Sequence, residues 1–228
     1  MSALTAIRRL APSRATASTT TPSPVDADLA GNLYSKDWVQ REQDAGNAEG
    51  FQVGALTTPI QGGGAGTIID LDQPEVNINV PDGKTMWLTR AHIQCEVPAD
   101  QDSDVQEIIL GYDNAGVTNA SASTGTVTTP KNLRSDKTAG LLGASAIVTA
   151  GTVNLSANPT VQEIARAQTV TNIVTSGITN KQFELLYEPL RPRAFVGPCV
   201  VLGYWGGTQA MSGFAQFEYV VNDTPPAA

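Results

Sequence analysis

From residue 66 to residue 221 the chain is a succession of short β-prone runs: GTIIDLD, EVNINV, KTMWLTRAHIQCEV, DVQEIILGYD, GTVTTPKNL, SAIVTAGTVNL, KQFELLYEPL, FVGPCVVLGYW and GFAQFEYVV. Breakers such as Gln73-Pro74, Pro81-Asp82-Gly83 and Gly206-Gly207 separate several of them. Eight or nine short strands with turn chemistry between them, and no regular alternation with helical segments, predict an all-β fold built as a single antiparallel β-sandwich. The composition agrees: Gly contributes 21 residues and Pro 14, whereas charged residues make only 16% of the chain. That balance favours strands and turns over long charged helices.

Two stretches depart from the β pattern. In SKDWVQREQ, Ser35 is a good cap and Asp37 suits a first turn, so a short helix is expected near Trp38. In NPTVQEIARAQ, Asn158 is a good cap, Pro159 suits the first helical position, and Val161, Ile164, Ala165 and Gln168 recur at helical spacing. A second short helix is therefore expected inside a connection.

Residues 15 to 32, ATASTTTPSPVDADLAGN, are too rich in small polar residues and proline to bury a core face. Residues 1–34 are accordingly read as an extended N-terminal arm, 35–222 as the folded body and 223–228 as a C-terminal tail. The arm is basic: Arg8, Arg9 and Arg14 precede the first acid, Asp26, so residues 1–25 carry +3. With a formal charge of −8 for the whole chain, the remainder carries −11. An acidic body repels nucleic acid, and three arginines without interleaved aromatics make only a weak nucleic-acid signal. Packing of the arm over a neighbouring subunit is the preferred reading. Its basic, acid-free composition also has the character of an organellar transit peptide, though it lacks the apolar core of a secretory signal. Hydrophobic residues make 41% of the chain, enough for a substantial core, and no apolar run approaches the length of a membrane span.

The chemistry-bearing residues are few. The only histidine, His92, and the first of two cysteines, Cys95, share one predicted strand. Alternation places Trp87, Ala91, Ile93, Cys95 and Val97 on one face and Arg90, His92, Gln94 and Glu96 on the other. The thiol is thereby expected in the core and the imidazole away from it, solvated or hydrogen-bonded, so the pair does not converge on a metal. Cys199 lies in a strand apolar on both faces. A Cys95–Cys199 bond would require the two strands to be neighbours, which sequence does not reveal. No GxSxG elbow supplies a nucleophile for His92. The glycine run Gly62-Gly63-Gly64-Ala65-Gly66 lacks the Gly-Lys-Ser/Thr ending of a phosphate loop and reads as a flexible turn or a close-packing site.

Asp100, Asp102 and Asp104 have the opening spacing of a calcium loop, but Val105 replaces the turn glycine and Gly111 the closing glutamate. A solvated acidic loop is the expectation, with calcium as the alternative and no other cofactor or metal. Arg191-Pro192-Arg193 joins two predicted strands and suits either a solvated connection or pairing with an acidic neighbour.

The C-terminal stretch FVGPCVVLGYWGGTQAMSGFAQFEYVV, an apolar strand, a glycine-rich turn and an aromatic-alternating strand, resembles the last two strands of jelly-roll proteins. With the polar arm, the chain resembles structural proteins of virus particles, particularly bacteriophage capsid or capsid-decorating proteins. That resemblance rests on architecture over about residues 35 to 222, without a residue-specific motif. It implies a jelly-roll sandwich located in the virion, a non-enzyme whose partners are copies of itself and other virion proteins. A homo-oligomer is expected, with a trimer the leading guess. The assembly surface would then be drawn from Arg8, Arg9, Arg14, Arg191, Arg193, Leu202 and Tyr204, since Val200, Leu202 and Tyr204 form a second apolar face on the Cys199 strand. The alternative is a carbohydrate- or receptor-binding β-sandwich using Trp38, Trp87 or Trp205, although Trp87 and Trp205 sit in apolar strand patterns that favour the core. A cupin-like enzyme is disfavoured because such sites use several histidines.

Overall fold

The computed structural model describes residues 38–55, 57–62, 69–71, 73–97, 105–114, 126–143, 146–149, 160–170, 181–207 and 211–224. In chain order these form helix α1 (Trp38–Ala45) and strands β1 (Ala48–Val53), β2 (Ile60–Gln61), β3 (Val76–Val80), β4 (Lys84–Val97), β5 (Val105–Asp113), β6 (Thr126–Val127), β7 (Lys131–Asn132), β8 (Ile147–Thr149), β9 (Gln162–Val170), β10 (Lys181–Tyr187), β11 (Ala194–Val196), β12 (Cys199–Gly207) and β13 (Ser212–Asp223). The fold is all-β, as expected. One sheet runs β10-β4-β13-β1-β7, with β11 continuing beside β4 and β2 beside β13; the other runs β6-β8-β3-β12-β5-β9. The pairings in both sheets are antiparallel.

Alternation along the strands fills the space between the sheets. From the first sheet come Phe51, Val53, Met86, Leu88, Ala91, Ile93, Cys95, Phe217 and Tyr219; from the second come Val76, Ile78, Val80, Ile108, Leu110, Cys199, Val201 and Trp205. Each fully buried large side chain contributes roughly 1.5–3 kcal/mol by leaving water, so this cluster is the main source of stability. Phe51 stacks on Phe217 with ring centroids 5.1 Å apart, knitting β1 to β13. Gly62 passes so close to β12 that a Cβ there would lie 2.0 Å from the Trp205 carbonyl oxygen, which bears out the close-packing reading at that glycine.

The face assignment of β4 needs one correction. Leu88 lies opposite Tyr219 and Arg90 opposite Glu218, leaving Thr89 as the extra residue of a bulge. Its hydroxyl donates to the Glu218 carbonyl at 2.9 Å. The extra residue reverses the alternation, so Met86 and Leu88 share the inner face with Ala91, Ile93 and Cys95, and Trp87 turns outward. There it meets Trp38 of α1 edge-on, with centroids 5.6 Å apart and an interplanar angle of 68°. Trp205 is in the core, as expected.

Helix α1 lies in the segment where a short helix is expected; Ser35 and Asp37, the residues read as its cap and first turn, lie outside the described residues. It ends in a left-handed Gly46 (φ 82°), whose N–H donates to the Gln43 carbonyl while that of Asn47 reaches Glu42.

The expected cap Asn158 and Pro159 lie outside the described residues, and from Gln162 onward the second expected helix is instead β9. Its bulge explains the misleading periodicity: Leu110 faces Ala165 and Gly111 faces Glu163, leaving Ile164 unpaired between them. Ile164, Ala165 and Ala167 consequently all touch the core. That spacing fits a helix better than a two-residue repeat, and the open edge of β5 decides the conformation. Two further departures are β1 and β2, which lie upstream of every run read as a strand, and Ile69–Leu71, which is not strand although it falls within GTIIDLD.

Candidate functional site

The outer face of the first sheet carries the polar set anticipated around His92. On β4, His92 Nε2 lies 3.0 Å from Glu184 Oε2 of β10, and Gln94 Nε2 donates to the same oxygen at 3.2 Å. These two contacts, His92 first, hold the Glu184 carboxyl below the ordinary carboxylate value. One turn of the pleat away, Arg90 bridges two acids: Nε is 2.8 Å from Glu188, an ion pair whose N–H is not aligned for a hydrogen bond, and NH1 is 3.4 Å from Glu218. Cross-strand charge pairs of this kind fix register at a solvated surface and contribute little stability individually.

Cys95 faces the opposite way, into the core beside Gly213, where a Cβ would come within 2.7 Å of its sulfur. Both cysteines are free thiols. Burial raises both, Cys199 to about 11 and Cys95 further, with the Glu75 carboxylate adding to burial at Cys95. Neither is activated as a nucleophile at neutral pH.

The carboxylates that sequence reading did not single out are buried ones: Glu49, Glu75 and Asp113. Glu49 Oε1 accepts from the backbone N–H groups of Gly140 (2.5 Å) and Leu141 (3.0 Å), and its Oε2 accepts from the Tyr219 hydroxyl at 3.1 Å. Glu75 accepts from the Trp205 N–H at 3.0 Å, and Asp113 from that of Thr160 at 2.7 Å. All three tie connecting segments to strands, a structural use of charge that a buried carboxylate requires. No local pattern marks them in the sequence, because their donors are remote backbone groups. Among the described residues no group of three or more His, Cys, Asp or Glu side chains could hold a metal ion, and no helix is long and apolar enough to cross a membrane.

The structure separates the residues assigned to assembly. Arg193 is exposed, but its guanidinium lies 4.6 Å from the Tyr112 ring centroid and is held within the subunit. Arg191 is exposed at the tip of the same segment. Leu202 and Tyr204 do form a second apolar face with Ile109, Val148 and Val200, but this chain covers it: both are 0% exposed, with Ile69 and Val161 packed against the cluster. The Tyr204 hydroxyl donates to the Leu71 carbonyl at 2.8 Å. Leu202 and Tyr204 are therefore packing residues of the subunit, because the segment around Ile69 turns over the sheet instead of joining it. Arg8, Arg9, Arg14, Asp100, Asp102 and Asp104 lie outside the described residues.

What the site offers is a positioned polar face and a network of tethers, with no nucleophile beside the one imidazole among these contacts. Compared with known proteins, the sequence matches no protein-family model and no curated protein.

Proposed function

We propose that the chain is a structural subunit of a virus particle, a capsid or capsid-decorating protein, that acts by self-assembly and shell stabilisation, not by catalysis. The observation carrying this reading is the way the long strands divide between sheets. In chain order β1, β3, β4, β5, β9, β10, β12 and β13 form two four-strand sets, β10-β4-β13-β1 and β9-β5-β12-β3. Such an arrangement supports a jelly roll, in which an antiparallel ribbon folds over itself so that strands far apart in sequence become neighbours. On this reading β6, β7 and β8 are short additions from the long connection between β5 and β9.

Jelly rolls also serve lectins and cupins, so the fold alone does not choose among them. The glycan-binding alternative draws no support from the tryptophans. Trp38 and Trp87 are engaged edge-on with each other, and Trp205 is buried with its indole N–H donating to the Ile60 carbonyl at 3.1 Å. The cupin alternative would have to build its site around one histidine, and that ring faces outward. Negative-stain imaging of protein purified from its native source tests the proposal. Particles or regular rings containing the chain are expected; a dispersed monomer would refute it.

A further inference from the structure

The two lateral sides of the sandwich end differently. One side ends in β7 and β6, of two residues each, which is how sandwiches blunt their edges. The other ends in β9, of nine residues, and in β10 and β11, of seven and three, which lie in succession along β4. Among the described residues, β9 pairs only with β5, and β10 and β11 only with β4, so these edges keep a row of backbone donors and acceptors on their outer side. Six large hydrophobic residues are exposed in the described chain, and three of them, Leu186, Leu190 and Val196, lie on or between β10 and β11. Leu190 is 102% exposed.

Leu190 is presented by a braced segment. Glu188 is held by Arg90 on one side of it and Arg193 by the Tyr112 ring on the other, while Pro189 and Pro192 restrict the backbone between. An apolar tip fixed outward and beside an open sheet edge is suited to a partner. Its charges identify the partner. Glu184 and Glu188 precede Leu190, and Arg191 and Arg193 follow it. If a second copy approaches antiparallel about a two-fold axis near the tip, the acidic limb of each copy faces the basic limb of the other, with the leucines at the centre. A segment complementary to itself is what an isologous contact requires.

We propose that the β10–β11 edge, centred on Leu190, is a two-fold contact between copies of this chain, with Glu188 of each facing Arg191 of the other. This rests on the assembly reading above and specifies its surface. Because Leu190 has no packing to lose within the subunit, Leu190→Asp should leave the melting temperature unchanged when measured below the dissociation midpoint, and the association can be read separately from folding. Light scattering across a dilution series of the full chain tests it. Leu190→Asp should raise the dissociation midpoint at least about tenfold, as loss of a central apolar anchor does. Val127→Asp, 50% exposed on the blunted side, should leave it unchanged. Arg191→Glu should also weaken association, whereas Arg191→Lys, which keeps the charge and leaves the Arg90–Glu188 pair intact, should preserve it. An associating wild type unaffected by Leu190→Asp and Arg191→Glu would overturn this contact while leaving assembly through another surface intact. Association weakened equally by Arg191→Glu and Arg191→Lys would overturn the charge pairing across the two-fold axis. A wild type that stays monomeric at every concentration would overturn both proposals.

Discussion

Removing the Glu49 carboxylate should expose how strongly this sandwich depends on one buried charge. The side chain is 0% exposed and receives three donors: two backbone N–H groups from the connection at residues 140–141 and the hydroxyl of Tyr219, itself fully buried. Hydrogen bonds to a charged group contribute about 1.5–3 kcal/mol each. The two backbone donors sit in a half-buried connection and can recover water after truncation, whereas the Tyr219 hydroxyl cannot. Glu49→Ala should therefore destabilise by about 3–5 kcal/mol, a large share of the total for a domain. Glu49→Gln should cost only about 1–2 kcal/mol, because the amide oxygen still accepts from the backbone while the amide nitrogen donates to the tyrosine oxygen. The sharper test is a double-mutant cycle. Tyr219→Phe should cost about 1.5–3 kcal/mol in the wild type, yet be neutral or stabilising once Glu49 is alanine, since it then removes an orphaned hydroxyl. Urea denaturation gives each value from the midpoint, provided the slope is unchanged. An equal cost of Tyr219→Phe in both backgrounds would refute the reasoning.

Leu202→Asp and Tyr204→Asp should each lose the fold itself, because a charge placed there is buried without a partner at a cost of at least about 4 kcal/mol; a cooperative melt near that of the wild type would show that the face over β12 opens. Glu184 should titrate below the ordinary 4.5, and His92→Ala should move it back towards that value. Since its folded-state value is depressed, its contribution is full above about pH 4.5 and is lost as pH falls through the folded value, so carboxyl NMR over the acidic range is the check. Cys95 and Cys199 should both resist a thiol reagent at pH 8 in the native protein and react in denaturant; rapid modification of either without unfolding would contradict their burial and raised pKa values.

The sequence by itself determines the class of fold and much of the core. Period-two patterning in EVNINV, DVQEIILGYD and GFAQFEYVV becomes β3, β5 and β13, and the doubly apolar GPCVVLGYW becomes a central strand buried on both faces. The opposed directions of His92 and Cys95 follow from the same alternation. Tertiary structure decides whatever depends on a strand's neighbours. Thr89 bulges because β13 runs beside β4 out of phase there, and this single residue sends Trp87 outward. NPTVQEIARAQ has the spacing of a helix, yet from Gln162 onward it takes the conformation of an edge strand because β5 offers its backbone unpaired groups to bond. The second apolar face of β12 is open in the sequence and closed in the subunit because the segment around Ile69 lies over it. Glu49 finds its three donors far along the chain, at Gly140, Leu141 and Tyr219, contacts no local pattern encodes. Local periodicity fixes which residues turn inward along one strand; which strands meet, and what covers their outer faces, is settled only when distant segments bury their surface and satisfy their hydrogen bonds together.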